Sequence, residues 1–196
     1  MGQTLIALGR EFGSGGREIA EKLGERLGIK VYDKNILDEM QERFGFDKKT
    51  LTEREETPVN VLFSRKIRGF SSSIEEVIAH REFELIKEKA DKGESFIVVG
   101  RCGEQILKGY SGLHSFFIRG DEEQKCRRVM EKYELDEKDA QELMRREDRQ
   151  RKNYHNFYCE GKWGDSRTYD LCVNSSRLGT DAVVDLLAKY LELNNA

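Results

Sequence analysis

The chain has 196 residues, of which 37% are hydrophobic and 36% charged, with a formal net charge of −3. This length is enough for one domain with a sizeable core. The charge balance argues against a dedicated nucleic-acid binder, and no apolar run is long enough for a membrane span or a signal peptide. We therefore expect a cytoplasmic protein without nucleic-acid or membrane partners, and a homo-oligomer is compatible with this composition.

Five short apolar runs have the length and composition of buried β-strands. In chain order they are TLIAL (4–8), IKVYD (29–33), SFIVVGR (95–101), HSFFIR (114–119) and YDLCVN (169–174). Between them, apolar residues recur at helical spacing, first at Ile19, Ala20, Leu23 and Leu27 before Gly28. Further helices are predicted near 36–44, from a Ser73–Glu76 capping box onward, at 121–134, at 136–155 and at 182–190. This alternation predicts an α/β fold of three layers with a central parallel sheet.

Ligands bind such sheets at the carboxyl ends of the strands. Four features are predicted at that edge: a glycine-rich loop after the first strand, Asp33, Arg101 and the segment after HSFFIR. Arg101 is expected to contact the phosphate of an acceptor or the charge that develops between donor and acceptor. The alternative is a salt bridge, with Glu104 as the nearest partner in sequence.

The glycine-rich segment GREFGSGGREIA (9–20) lies between the first strand and the first helix. A P-loop has the sequence G-x-x-x-x-G-K-[ST] at this position, whereas this chain has Glu11 at the first glycine and Gly16, Arg17 and Glu18 at the end. Free N–H groups and the helix dipole attract anions at such a turn. Binding of ATP phosphates is predicted for Gly13, Ser14, Gly15, Gly16, Arg17 and Glu18. The alternative is a structural turn in which Arg17 pairs with Glu21.

The segments REFGSGGREIA, GIKVYDKNIL, IVVGRC, RKNYHNFY and KWGDSRTYDLCVNSSRLG resemble the cytidylate kinase-like family, a branch of the P-loop nucleoside monophosphate kinases. The resemblance implies one P-loop kinase-like domain over 1–196, with an acceptor-binding insertion at about 45–72 and a lid at about 136–165. It also implies ATP and Mg²⁺ as cofactors. Asp33 matches the aspartate that begins the acceptor-binding segment, and Val99–Cys102 replaces an Asp-Gly-Arg-Asp string of which Gly100 and Arg101 remain.

The predicted lid contains four arginines within seven residues: Arg145, Arg146, Arg149 and Arg151. Phosphoryl transfer requires charge neutralisation on several oxygens, which arginines on a closing segment can supply. We expect Arg17, Arg145 and Arg149 to be catalytic. The alternative is a solvated helix face balanced by Glu142, Glu147 and Asp148.

Glu18 stands where a P-loop has the hydroxyl that holds Mg²⁺. A carboxylate about 4 Å from a phosphate would be repelled by roughly 4 kcal/mol at an effective dielectric near 20. Glu18 is therefore expected either to bind the metal ion or to pair with a basic side chain, with coordination slightly favoured. The four cysteines and three histidines have no metal-ligand spacing, so the cysteines are interpreted as reduced structural thiols.

These features predict a kinase that transfers the γ-phosphate of ATP to a nucleoside monophosphate such as CMP, or to a similar small acceptor. One alternative is a kinase on the same scaffold with a non-nucleotide acceptor, which the replacement of an aspartate by Cys102 supports. The other alternative is a nucleotide-binding regulator without transfer activity.

Overall fold

The computed structural model describes residues 2–47, 49–51, 66–67, 70–71 and 73–194. The strands are β1 (Leu5–Arg10), β2 (Lys30–Tyr32), β3 (Lys66–Ile67), β4 (Phe70–Ser71), β5 (Phe96–Val99), β6 (Leu113–Arg119) and β7 (Leu171–Asn174). Five of them form one parallel sheet in the order β2-β5-β1-β6-β7, and β3 and β4 form a separate antiparallel pair.

Strand β1 occupies the centre of the sheet, between β5 and β6. Its residues Leu5, Ile6, Ala7 and Leu8 are at most 1% exposed. A continuous apolar run is required here because helices cover both faces of the sheet. Burial of each leucine or isoleucine stabilises the fold by roughly 1.5–3 kcal/mol. The glycine-rich loop therefore follows a firmly anchored strand.

The helices lie on both faces of the sheet and complete a three-layer α/β fold. They are α1 (Gly16–Leu27), α2 (Ile36–Phe44), α3 (Ile74–Asp91), α4 (Gly103–Ile106), α5 (Glu122–Tyr133), α6 (Glu137–Tyr158), α7 (Ser175–Leu178) and α8 (Thr180–Asn194). On one face Leu5 belongs to a core cluster with Met40 and Ile86, and on the other Ile6 belongs to a cluster with Leu23 and Leu187. Within the described ranges, no helix is both long and apolar enough to cross a membrane.

Helices α5 and α6 pack against each other through a smaller apolar cluster that contains Val129, Ala140 and Met144. Phe12 of the glycine-rich loop packs against this cluster. The Asp136 carboxylate caps α6 by accepting a hydrogen bond from the Asp139 N–H. The helix pair is thus placed beside the loop.

The five predicted strands and the fold class are confirmed. Gly28 ends α1 in a left-handed conformation, and the Ser73 hydroxyl accepts a hydrogen bond from Glu76 N–H at 3.3 Å. Most of the predicted acceptor-binding insertion, 45–72, lies outside the described residues. Of that stretch, the structure describes the turn after α2, residues 49–51, and the β3–β4 pair. The insertion and lid assignments remain predictions.

Candidate functional site

The glycine-rich loop connects Arg10, the last residue of β1, to Gly16, the first residue of α1. Gly13 and Gly15 have φ angles of 80° and 77°, a region that favours glycine. A Cβ atom on Gly16 would lie 2.5 Å from the Arg10 Cβ, so a side chain at this position would clash. The first N–H groups of a helix have no intrahelical acceptor, and Gly15 at the N-cap has no side chain to provide one. The start of α1 therefore has no side-chain cap at Gly15.

This loop lines a cleft of about 970 Å³. Among the residues predicted for the site, the cleft is lined by Gly13, Gly15, Gly16, Arg17, Glu18, Asp33 and Arg151. Ser14 instead stabilises the loop through two hydrogen bonds. Its hydroxyl donates to the Glu11 carbonyl at 2.8 Å, and its own carbonyl accepts from the Ser175 hydroxyl at 2.6 Å.

Arg128 on α5 lies against the loop. A Cβ atom on Gly15 would be 3.3 Å from the Arg128 Cζ atom and 3.4 Å from Nη1. The guanidinium also donates to the Glu18 carboxylate, while 42% of the Arg128 side chain remains exposed. The sequence analysis missed this residue because a single arginine on an amphipathic helix usually faces solvent. Only the packing of α5 beside the loop identifies it.

Glu18 is surrounded by partners that stabilise its charged form. In addition to Arg128, it contacts Lys22 Nζ at 2.8 Å and accepts a hydrogen bond from the Thr180 hydroxyl at 2.8 Å. These groups, the hydrogen bond from Lys22 foremost, lower the pKa of Glu18 below its usual value. The contacts correspond to the second alternative considered from sequence, pairing with basic side chains. Coordination of Mg²⁺ by Glu18 remains a prediction.

Arg17 lies between the loop and the predicted acceptor end of the cleft. Its Nε atom is 2.9 Å from Glu21 Oε1 and 3.3 Å from Asp33 Oδ2. The Asp33 side chain is 11% exposed and follows the end of β2. Arg17 forms the pair with Glu21 that was expected for a structural turn, and it also contacts Asp33. Arg17 thus connects the two groups of predicted binding residues.

Two carboxylates attach α5 and α6 to the loop. Glu11 accepts hydrogen bonds from the Gly120 N–H and the Lys125 Nζ, both at 3.0 Å. Asp148 on α6 accepts a hydrogen bond from the Phe12 N–H at 2.6 Å, and its other oxygen is 3.9 Å from Lys125 Nζ. Burial raises the pKa of Asp148 to about 6, although the Phe12 N–H and Lys125 oppose this shift. The Phe12 N–H is therefore already occupied in this structure.

Of the four predicted lid arginines, Arg151 lines the cleft. Its guanidinium lies 5.3 Å from the centre of the Phe12 ring, and Nη1 donates to the Arg10 carbonyl at 3.4 Å. These contacts place a cation beside the loop from the side of α6.

The other three lid arginines point elsewhere. Arg145 and Arg149 line a second cavity of about 350 Å³, together with Lys152 and Trp163. Arg146 is 68% exposed on its side chain. A catalytic role for Arg145 or Arg149 remains a prediction.

Arg101 is buried in a salt bridge with Glu82 of α3, at 2.5 Å between Nη1 and Oε1, and both side chains are 1% exposed. Glu104, the partner considered from sequence, contacts His155 instead. Among the described residues that line the cleft, Arg101 is absent. The contact of Arg101 with an acceptor remains a prediction.

The cleft residues fit a polyphosphate. The glycine loop leaves room that side chains would fill, and Arg17, Arg128 and Arg151 supply positive charge around it. The carboxylates Glu18, Glu21 and Asp33 each contact a cationic side chain. Mg²⁺ commonly keeps several waters and takes few protein ligands. It would therefore use phosphate oxygens and water, with Glu18 as the candidate protein ligand.

The amino-acid sequence of residues 5–177 matches the cytidylate kinase-like family. The chain belongs to the cytidylate kinase-like family. The match covers the glycine loop, Asp33, Arg128 and nearly all of the sheet, and it confirms the resemblance noted from sequence. A search of curated proteins gives no match to this chain.

Among solved structures, this family member is similar to an uncharacterized protein from Eubacterium ventriosum. The two are 40% identical with a TM-score of 0.77, over 97% of this chain and 99% of the other. It also resembles shikimate kinase from Bacteroides thetaiotaomicron, at 14% identity and a TM-score of 0.57 over 96% and 98% of the two chains. Shikimate kinase from Acinetobacter baumannii, solved in complex with shikimate, is 14% identical with a TM-score of 0.56, over 98% of this chain and 94% of the other. At 14% identity, the likeness to the two shikimate kinases shows a shared fold.

Proposed function

We propose that this member of the cytidylate kinase-like family transfers the γ-phosphate of ATP to a small acceptor. The observation that carries the proposal is the Arg128 guanidinium, which lies against Gly15 at the start of α1, where no side chain caps the helix. Asp33 lines the same cleft. The cleft therefore combines cations suited to a phosphate donor with a carboxylate suited to an acceptor hydroxyl.

Each group has a role that its position supports. The loop amides and Arg128 bind the donor phosphates, and Arg17 connects this region to the acceptor. Arg151 adds positive charge from α6, and closure of α6 over the loop excludes water. Asp33 orients the acceptor by accepting a hydrogen bond from its hydroxyl. Mg²⁺, when bound, neutralises charge on the phosphates.

A nucleoside monophosphate such as CMP is the first candidate acceptor, on the basis of family membership. A second candidate is a hydroxyl-bearing small molecule without a phosphate. The burial of Arg101 against Glu82 favours this second class, because it withdraws the cation that was expected to hold an acceptor phosphate. The two classes differ in whether the acceptor itself carries negative charge.

Formation of ADP from ATP and Mg²⁺ over a panel of acceptors tests the proposal. The panel contains the nucleoside monophosphates and a set of phosphate-free hydroxy acids and sugars, with a reaction lacking acceptor as the control. ADP formation that depends on a monophosphate supports the first class, and ADP formation that depends on a phosphate-free compound supports the second. Tight ATP binding without acceptor-dependent ADP would instead indicate a nucleotide-binding regulator.

A further inference from the structure

Four polar side chains meet where the end of α6 faces the turn after β5. His155 and Cys159 lie one helical turn apart at the end of α6, and Cys102 and Glu104 lie at the start of α4. The group is buried, with 7% of the His155 side chain and 10% of the Glu104 side chain exposed. The cluster forms no part of the described lining of the cleft.

The donor atoms of this cluster converge. A carboxylate oxygen of Glu104, a ring nitrogen of His155 and the sulfur of Cys159 all lie within 4.8 Å of one another. Cys159 Sγ is 3.7 Å from Glu104 Oε1, and the same oxygen contacts His155 Nε2. Cys102 lies beside Cys159 and outside this group of three. In a tetrahedral zinc site, bonds of about 2.0–2.3 Å place neighbouring ligand atoms roughly 3.3–3.8 Å apart. Small side-chain movements would therefore accommodate an ion.

His155 is oriented as a metal ligand would be. Its Nδ1 atom is 3.4 Å from the Asn156 Oδ1, which is itself fixed by a 2.9 Å hydrogen bond from the Trp163 N–H. Nε2 faces Glu104 Oε1, and loss of the proton between them, with the other ring proton kept on Nδ1, would leave the Nε2 lone pair available to an ion. Metal-binding histidines commonly have a partner of this kind on the second nitrogen.

The turn after β5 has an unusual backbone conformation. Arg101 and Cys102 have φ angles of 57° and 56°, which non-glycine residues rarely adopt. This turn places Cys102 beside Cys159, while the Glu104 carboxylate contacts both His155 and Cys159. The cluster thus joins the turn to the end of α6.

We propose that Cys102, Glu104, His155 and Cys159 bind one divalent cation of the zinc class. The ion bonds to both sulfurs, to Nε2 and to a carboxylate oxygen. It replaces the two thiol protons and the proton between His155 and Glu104, which are released to solvent. The site fastens the end of α6 to the turn after β5. It is independent of the proposed transfer reaction, and its test requires no nucleotide. Sequence spacing concealed the site, because its residues come from two distant segments that the fold brings together.

Titration of the reduced, chelator-treated full chain with Co²⁺ tests this assignment, because tetrahedral cobalt bound to thiolate has a charge-transfer absorption. We expect one Co²⁺ per chain with that absorption and its loss on addition of Zn²⁺. We also expect Zn²⁺ to raise the Tm of the chain, because a ligand that binds only the folded state stabilises it.

The variants Cys159→Ser and Cys172→Ser form a matched pair, because Cys172 is exposed and lies outside the cluster. The absorption should disappear in Cys159→Ser and persist in Cys172→Ser, with folding checked by circular dichroism. Asn156→Ala keeps all four ligands and should weaken Co²⁺ binding by about 10–100-fold. Asn156→Ala therefore still tests the proposal if Cys159→Ser does not fold.

Absence of the absorption in the folded, reduced chain would overturn the proposal. So would an absorption that survives in Cys159→Ser or one that requires Cys172. A Cys102–Cys159 disulfide in the chain as isolated, with no Co²⁺ binding after reduction, would assign the cluster to thiol chemistry instead.

Discussion

Arg128 and Glu18 carry opposite charges next to the first turn of α1. A phosphate bound there would be attracted by Arg128 and repelled by Glu18, and the repulsion is reduced because Lys22 also contacts that carboxylate. The affinity of the loop for an anion therefore depends on how Arg128 divides its hydrogen bonds between Glu18 and the ligand. Two substitutions separate these contributions.

Replacement of Arg128 by alanine removes the cation that lies against Gly15. Charge-assisted hydrogen bonds contribute about 1.5–3 kcal/mol each, so we expect ATP binding to weaken by roughly 10- to 100-fold. Calorimetric titration of ATP measures the change. The matched control is Arg127→Ala, whose side chain is 62% exposed and pairs with Glu123. Equal ATP affinities in the two variants would show that Arg128 does not bind ATP.

Substitution Glu18→Gln distinguishes ion pairing from metal coordination. If Glu18 serves mainly to hold Arg128 and Lys22, its neutralisation frees Arg128 for phosphate. We then expect ATP to bind equally well or about fivefold tighter, with and without Mg²⁺, because unit charges 4 Å apart in water interact by ~1 kcal/mol. Glu25→Gln on the exposed side of α1 is the control. A loss of affinity restricted to the Mg²⁺-containing titration would assign Glu18 to the metal ion.

Helix α6 contacts the glycine loop through Asp148 and the β5–α4 turn through His155. These two attachments lie about two helical turns apart. In the contact with the loop, the pKa of the Asp148 carboxyl group is raised to about 6.

The pKa of Asp148 in the folded chain is about 6, above its ordinary value of 3.8, because of burial. The folded state therefore holds this proton more tightly, and this group reduces stability as pH rises through the interval from about 4 to 6. The effect is at most about 3 kcal/mol. Asp148→Asn keeps an oxygen for the Phe12 N–H and should abolish this part of the pH dependence.

Free energies of unfolding in urea at pH 4.5 and pH 7 measure this change. The control is Asp139→Asn at an exposed position of the same helix. If the wild type and Asp148→Asn lose the same stability between the two pH values, Asp148 does not titrate as described.

The buried pair between α3 and the β5 turn fixes the position of Arg101. Glu82→Gln removes the charge of the Glu82 carboxylate from this buried pair, which we expect to reduce the free energy of unfolding by about 3–5 kcal/mol. Glu84→Gln on the same helix is the matched control. The Glu84 side chain is 59% exposed and that of its partner Arg81 is 46% exposed, so this salt bridge contributes under about 1 kcal/mol. Urea denaturation compares the two variants. Equal small losses would show that the Arg101–Glu82 pair contributes no more than a surface contact.

At the scale of the whole molecule, the fold was predictable because its signals are local. Runs such as FIVV and LIAL identify buried strands without knowledge of their neighbours, and the glycines mark the turn into α1. The placement of Gly15 and Asp33 in one cleft also followed from strand order, since the ends of parallel strands share an edge.

The remaining features depend on contacts between distant segments. Arg128 was missed because its importance arises from the packing of α5 beside the loop, and the pairing of Arg101 with Glu82 was missed because Glu82 lies on another element. The group around His155 was missed for the same reason, since Glu104 and Cys159 are 55 residues apart in sequence. Sequence spacing detects sites within one segment, whereas these sites join two.

Transfer of an isotopically labelled γ-phosphate from ATP tests the central claim most directly. The purified full chain is incubated with labelled ATP, Mg²⁺ and a small-molecule extract, and products are identified by mass spectrometry. We predict a labelled small-molecule phosphate that forms with the wild type and with Arg127→Ala and is strongly reduced with Arg128→Ala. Label found only in ATP or in inorganic phosphate, in a chain that binds ATP, would contradict the assignment of a phosphotransferase.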